Sequence, residues 1–292
     1  MFEFDILIQQ AVYGLVIGSS YVLMAAGFSL IWGMMGVLNL AHGEFYMLGA
    51  YVAYYASSLL GFNPILSSLI ATCVIFLFGV LFERSLLSPI YGRPGWETNT
   101  VLITVGASIF LQNVALVIFG EKYKGLPQYF EGDLEIWKIV LSYDRLVVFL
   151  VGCFLIAFLW YFMKYTRVGM AMRAISQNRD GAYLAGVNVR RIFYVAFGLS
   201  AAFAAAAGAL LAPIFFVYPT VGAAPLLMAF AIVIFGGLGS VKGAIYAGFL
   251  VGVFESLIVL IMSSAWKDVF VFILVIIILT VRPRGLFGIR EE

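Results

Sequence analysis

Charge is the scarcest property of this chain. Asp, Glu, Lys and Arg make up only 11% of its 292 residues, and 64% are apolar. Soluble domains run about 25% charged and about 45–50% apolar, so this composition excludes one. Histidine is almost absent: with His42 alone, a histidine-rich metal site cannot be assembled. The two cysteines, Cys73 and Cys153, lie inside apolar runs without C-x-x-C spacing, which argues against metal or redox chemistry and for packing. No G-x-x-x-x-G-K-[ST] loop occurs, so the chain does not bind ATP by that route. No catalytic residue, cofactor or metal is expected. The net charge of +2 gives no sign of a nucleic-acid partner. The opening MFEFD has no basic residue, unlike a signal peptide, so the first apolar run is expected to be retained as a helix.

What the chain has in abundance is long apolar sequence, with a mean hydropathy of +1.07. Runs of roughly 18 residues or more recur, enough to cross about 30 Å of hydrocarbon. A β-barrel would show short alternating segments instead. The expected fold is an all-α membrane protein, a polytopic bundle of about 8–9 transmembrane helices forming a single domain over 1–292. The apolar segments fall at about 7–32, 37–60, 65–83, 99–119, 146–163, 192–212, 225–238, 243–262 and 268–281. The seventh is short and ends in FGGLGS, which reads as a broken or re-entrant helix buried in protein or lining water.

Basic residues orient the bundle. Lys164, Arg167, Arg173, Arg179, Arg190 and Arg191 surround the loop after the fifth segment, and Arg282, Arg284 and Arg290 occupy the tail. Both are expected in the cytoplasm, with Arg84 and Arg93. The stretch from about 120 to 145 then lies outside, with Glu121, Glu131, Asp133, Glu135 and Asp144 against Lys122, Lys124, Lys138 and Arg145. The N-terminus, with Glu3 and Asp5, is placed outside too.

The loop RVGMAMRAISQNRDGAYLAGVNVRR, Arg167–Arg191, is built for water and a protein partner. Asn178 or Ser176 can cap a short helix, Asp180 suits its first turn, Gly186 its left-handed stop, and Asn188 can cap the next span. Ala182, Leu184, Ala185 and Val187 give it an apolar surface flanked by arginines. An interfacial helix on anionic lipid is the alternative. Gly181 and Ala182 favour close approach to a protein groove.

Polar residues within the spans are few. Asn39, His42 and Glu44, in NLAHGEFYMLGAY, read either as a polar turn of the pathway or gate, or as a hydrogen-bonded turn at the cytoplasmic interface. Glu255 shares a helix face with Gly248 and Gly252 at i, i+4, i+7 spacing, so it is expected to point into protein. A structural partner and a pathway role are both open for it, as for Gln112 and Asn113 in SIFLQN. Gly14, Gly18 and the run SAAFAAAAGALLA read as packing surfaces. A faint internal repeat aligns Gly36, Leu38, Gly43 and Tyr46 with Gly236, Leu238, Gly243 and Tyr246, both at a cytoplasmic-side turn; repeats of this kind can mark a substrate path.

QQAVYGLVIGSSYVLMAAG, GVLNLAHGEFYMLGAYV, SIFLQN, the loop above and FGGLGSVKGAIYAGFLVGVFES together resemble the LivH-type inner-membrane permeases of branched-chain amino acid ABC importers, over essentially the whole chain. Urea and short-chain amide permeases share the pattern. The resemblance implies a bacterial inner-membrane importer with a second permease subunit (a related paralogue or a second copy), two ATP-binding subunits and a periplasmic substrate-binding protein. It implies a coupling element within 165–191, carried by Arg173, Arg179, Asp180, Gly181, Ala182 and Gly186. Asp-Gly-Ala stands where the family usually has Glu-Ala-Ala, and Gly181 should weaken the helix by up to about 1 kcal/mol relative to Ala. ERSLLSPIYGRP departs from the family's more basic loop. A motor-independent secondary transporter or channel is the alternative from another class. It would normally place several ionisable residues at mid-membrane, where the sequence places Glu255.

Overall fold

The structure is a computed structural model in which residues 4–136 and 139–287 are described. Glu3, Lys138 and Arg290, used above for orientation, lie outside the described residues. The chain forms α1 (Phe4–Met35), α2 (His42–Ser58), α3 (Pro64–Phe82), α4 (Trp96–Phe119), strands β1 (Asp133–Ile136) and β2 (Ile139–Ser142), α5 (Tyr143–Tyr165), α6 (Arg167–Gln177), α7 (Arg179–Leu184), α8 (Val189–Leu211), α9 (Ala223–Gly236), α10 (Val241–Ile261) and α11 (Lys267–Val281). Seven helical segments among the described residues are long and apolar enough to cross a membrane. Adding the 17-residue α2 and the 14-residue α9 accounts for all nine apolar runs. At 1.5 Å per residue α9 is only about 21 Å long, the short seventh element the sequence anticipates. It stops at Gly237, whose φ is +104°.

Small residues set the architecture. Lipid supplies no hydrophobic drive between helices, so close packing decides which ones associate. α1 and α8 form the interior; 83% of the most apolar window of each is buried. α10 runs along α1 with Gly248 and Gly252 against Val22, Gly18 and Gly14. The alanine-rich stretch of α8 is buried from Ser200 to Ala212. Gly49 of α2 meets Ala205, and Gly79 of α3 meets Ala201. α4, α5 and α11 form the rim, with 11–17% of their windows buried.

One departure from the sequence reading bears on function. The turn before α2 is not at a membrane face. His42 Nε2 lies 3.1 Å from the carbonyl of Met24, and its Nδ1 faces Ser200 at the midpoint of α8. Residues 36–41 therefore run back into the bundle before α2 begins. Irregular backbone at that depth needs internal partners. Asn39 Oδ1 accepts from the Ala41 amide at 3.1 Å and Thr104 Oγ1 from the Leu40 amide at 3.3 Å. Gly43, in the first turn of α2, packs on Gly222, which precedes α9. Two helices thus begin side by side inside the bundle. The proposed repeat is not reproduced locally: Gly236 and Gly243 close on each other, whereas Gly36 has open space and Gly43 meets Gly222.

The acidic loop adds a feature the all-α reading omits. β1 and β2 pair antiparallel, Asp133 opposite Ser142 and Glu135 opposite Val140. Four-residue strands are too short to give a clear alternating signal. The hairpin lies beside the start of α1, where Tyr13 donates to the Val140 carbonyl at 2.8 Å and Arg145 stacks over the Tyr13 ring.

Candidate coupling and translocation sites

The arginine-rich loop folds as two short helices. Thr166 caps α6 by accepting from the Gly169 amide at 3.0 Å, and Met172 and Ile175 are buried while Arg173 is exposed. Asn178 caps α7, its Oδ1 accepting from the Gly181 amide at 2.8 Å. Asp180 stands in the first turn, favourable at the positive end of the helix. Gly186 ends the element at φ +84°, and Asn188 caps α8 through the Arg191 amide. Ala182 differs from expectation. It is buried in the bundle, and the residues standing outward are Tyr183 and Leu184, 70% and 85% exposed. On a six-residue helix a one-residue change of phase turns the face by about 100°, and the sequence does not fix that phase.

α7 is tied to the rest of the bundle by aromatic residues. The Arg179 guanidinium lies 5.6 Å from the Trp96 ring and 5.3 Å from that of Phe193. Tyr91 meets both rings edge-on. A groove of about 1000 Å³ runs between α7, the α3–α4 connection and the start of α8. Glu83, at the head of a π-turn over Glu83–Leu87, is buried beside Tyr91 and Arg190. π-turns often sit at functional positions. Sequence reading missed Glu83, Tyr91, Trp96 and Phe193. The departure of ERSLLSPIYGRP from the family pattern was the available signal for the first two.

The interior polar residues divide into separate groups. His42 is fully buried between α1 and α8. Glu44 faces α4, where Gln112 Nε2 and Ser108 Oγ donate to its Oε1 at 2.7 and 2.9 Å. Asn39 serves the buried turn. Asn113 separates from Gln112: it is exposed and donates to the Ile109 carbonyl of its own helix.

Glu255 is buried, as its glycine-marked face predicts, and Lys267 of α11 donates to its Oε1 at 2.5 Å. Both line a cavity of about 380 Å³ near the loop between α8 and α9, together with Tyr21, Tyr46, Leu211, Met228 and Asp268. Among the described residues no group of three or more His, Cys, Asp or Glu could hold a metal.

The family model described as branched-chain amino acid transport system / permease component matches residues 10–279. The chain belongs to this permease family. The permease is 34% identical to the high-affinity branched-chain amino acid transport system permease protein BraD of Pseudomonas aeruginosa, covering 97% of this chain and 96% of that one. It is 32% identical to LivH, a permease protein of the same description from Escherichia coli, over 99% and 98%. LivM of Escherichia coli, described likewise, is 30% identical over 81% of this chain and 61% of its own length. The permease is thus a multi-pass membrane protein of transport.

Proposed function

We propose that this permease carries branched-chain amino acids inward across a bacterial inner membrane as one subunit of an ABC importer. Two ATP-binding subunits power it, and a periplasmic binding protein delivers the substrate. The 32–34% identity to BraD and LivH over nearly the whole chain supports the substrate class over urea or short-chain amides. That LivH and LivM carry the same system description in one organism supports a second, related permease subunit. The weakly buried α4, α5 and α11 leave apolar surface for that subunit and for lipid.

The observation that carries the mechanism is α7. A short capped helix presents Tyr183 and Leu184 outward while Arg179 fastens it to Trp96 and Phe193. A motor that grips such a helix moves the α3–α4 connection and α8 with it. α8 reaches Ser200 and His42, where α2 begins. ATP binding can shift the gate only by interacting differently with its two states, and this linkage provides a route. The loop 165–191 belongs to the cytoplasmic face, with the N-terminus outside and the C-terminus inside. The test is co-purification and uptake: the assembled complex should contain ATP-binding subunits and accumulate leucine only with ATP. Leucine uptake by the purified chain alone would overturn the reading in favour of a motor-independent carrier.

A further inference from the structure

The cavity lined by α1, α9, α10, α11 and the loop between α8 and α9 combines opposite charges with an apolar floor. Its volume of about 380 Å³ falls within the roughly 300–1,000 Å³ of small-ligand sites. Glu255 and Lys267 lie on its wall as a direct ion pair, with Asp268 as the third charged group. Tyr21 stands beside the Glu255 carboxylate. Leu211, Val221 and Met228 supply the apolar side. Glu255 is 3% exposed at its side chain and Lys267 36%, so the carboxylate is enclosed and the lysine reaches the open side of the cavity.

We propose that this cavity binds a free α-amino acid with a branched apolar side chain, its ammonium group on Glu255 and its carboxylate on Lys267. The inference rests on the reading of this chain as an amino-acid permease. A buried carboxylate without a partner is costly, and the Glu255–Lys267 pair avoids that cost between binding events. An arriving zwitterion exchanges one ion pair for two charge-assisted ones, so no charge is stranded. A neutral amide offers no such exchange, and an analogue with one charge leaves one member of the pair uncompensated. The competing account is a clamp between α10 and α11, indifferent to the charges of any solute.

The test uses the purified full-length chain in lipid nanodiscs. Its melting temperature is followed with leucine, with 4-methylpentanoate (no ammonium group) and with 3-methylbutylamine (no carboxylate). Leucine should raise it by about 2–4 °C, and neither analogue should. Glu255→Gln combined with Lys267→Gln should abolish the leucine shift. Equal shifts from all three compounds, no shift with leucine, or an unchanged leucine shift in the double variant each overturn the site. If the double variant does not fold, the analogue comparison on the unmodified chain decides alone. Leucine uptake by the assembled importer is measured in parallel. Uptake with the site overturned leaves the amino-acid reading standing, whereas uptake of urea or short-chain amides in place of leucine removes that reading itself.

Discussion

Glycine decides how near α1 and α10 can come. A Cβ on Gly252 would be driven into the carbonyl of Gly14 and the backbone of Gly18, and backbone cannot swing aside as a side chain can. Gly252→Ala is therefore expected to destabilise by about 1–3 kcal/mol, the usual cost of overpacking, and to lower the melting temperature in detergent. Gly106→Ala, in α4 with nothing within 4 Å of the new methyl, should leave it unchanged or raise it, since Ala is the better helix former. Equal losses at both positions would contradict the packing account. Glu44 offers a second residue-level test. Glu44→Leu strands the donors of Gln112 and Ser108 and should cost about 1–3 kcal/mol. Glu44→Gln keeps an acceptor and should stay near wild type in chemical denaturation. The glycine faces were legible because spacing alone defines a helix face. The pairing of Glu44 with Gln112 was not, because they stand 68 positions apart on separate helices.

At the scale of the element, the caps and stops of α7 followed the sequence closely and its outward face did so only in part: Leu184 and Ala185 are exposed as expected, Ala182 is not. Asn178, Asp180, Gly186 and Asn188 act through neighbours within a few positions, so local chemistry determines them. The burial of Ala182 depends on where α8 and the α3–α4 connection lie, which no local pattern contains. The depth of α2 was hidden for the same reason. A run of apolar residues from 37 to 60 reads as one span, while the six residues before His42 are held in place by Asn39 and Thr104. Docking through the exposed pair gives the prediction here. Leu184→Asp places a charge at the centre of the proposed contact and should reduce substrate-stimulated ATPase activity of the assembled complex at least about tenfold, for a loss of 1.4 kcal/mol or more in contact energy. Membrane insertion should be unaffected, because Leu184 is 85% exposed and outside every span. Full stimulation in Leu184→Asp would rule out α7 as the docking element.

For the whole molecule, the helix ends sort into two faces, and one experiment decides which face meets the cytoplasm. On one face lie the β1–β2 hairpin, Arg145 over Tyr13, and the backbone bridge between Lys124 and Val217. On the other lie α6, α7, the contact of Gly33 with Gly239, and the amide of Leu286 donating to the Phe235 carbonyl. The early part of α1, beside the hairpin, and the segment after α11, bonded to Phe235, lie on opposite faces. The positive-inside rule predicts that the second face, which carries the basic residues of α6 and α7, meets the cytoplasm. Cys73 and Cys153 lie within α3 and α5, so replacing both with Ser gives a background free of native thiols. On that background Glu131→Cys, exposed just before β1, should react in intact cells with a thiol reagent that cannot cross the membrane. Asn178→Cys should react only after the cells are opened. Labelling of Asn178→Cys and not Glu131→Cys in intact cells would invert the molecule and move α7 beyond reach of any ATP-driven partner. Labelling of both would instead show that the loop from 165 to 191 does not share the side assigned by its arginines.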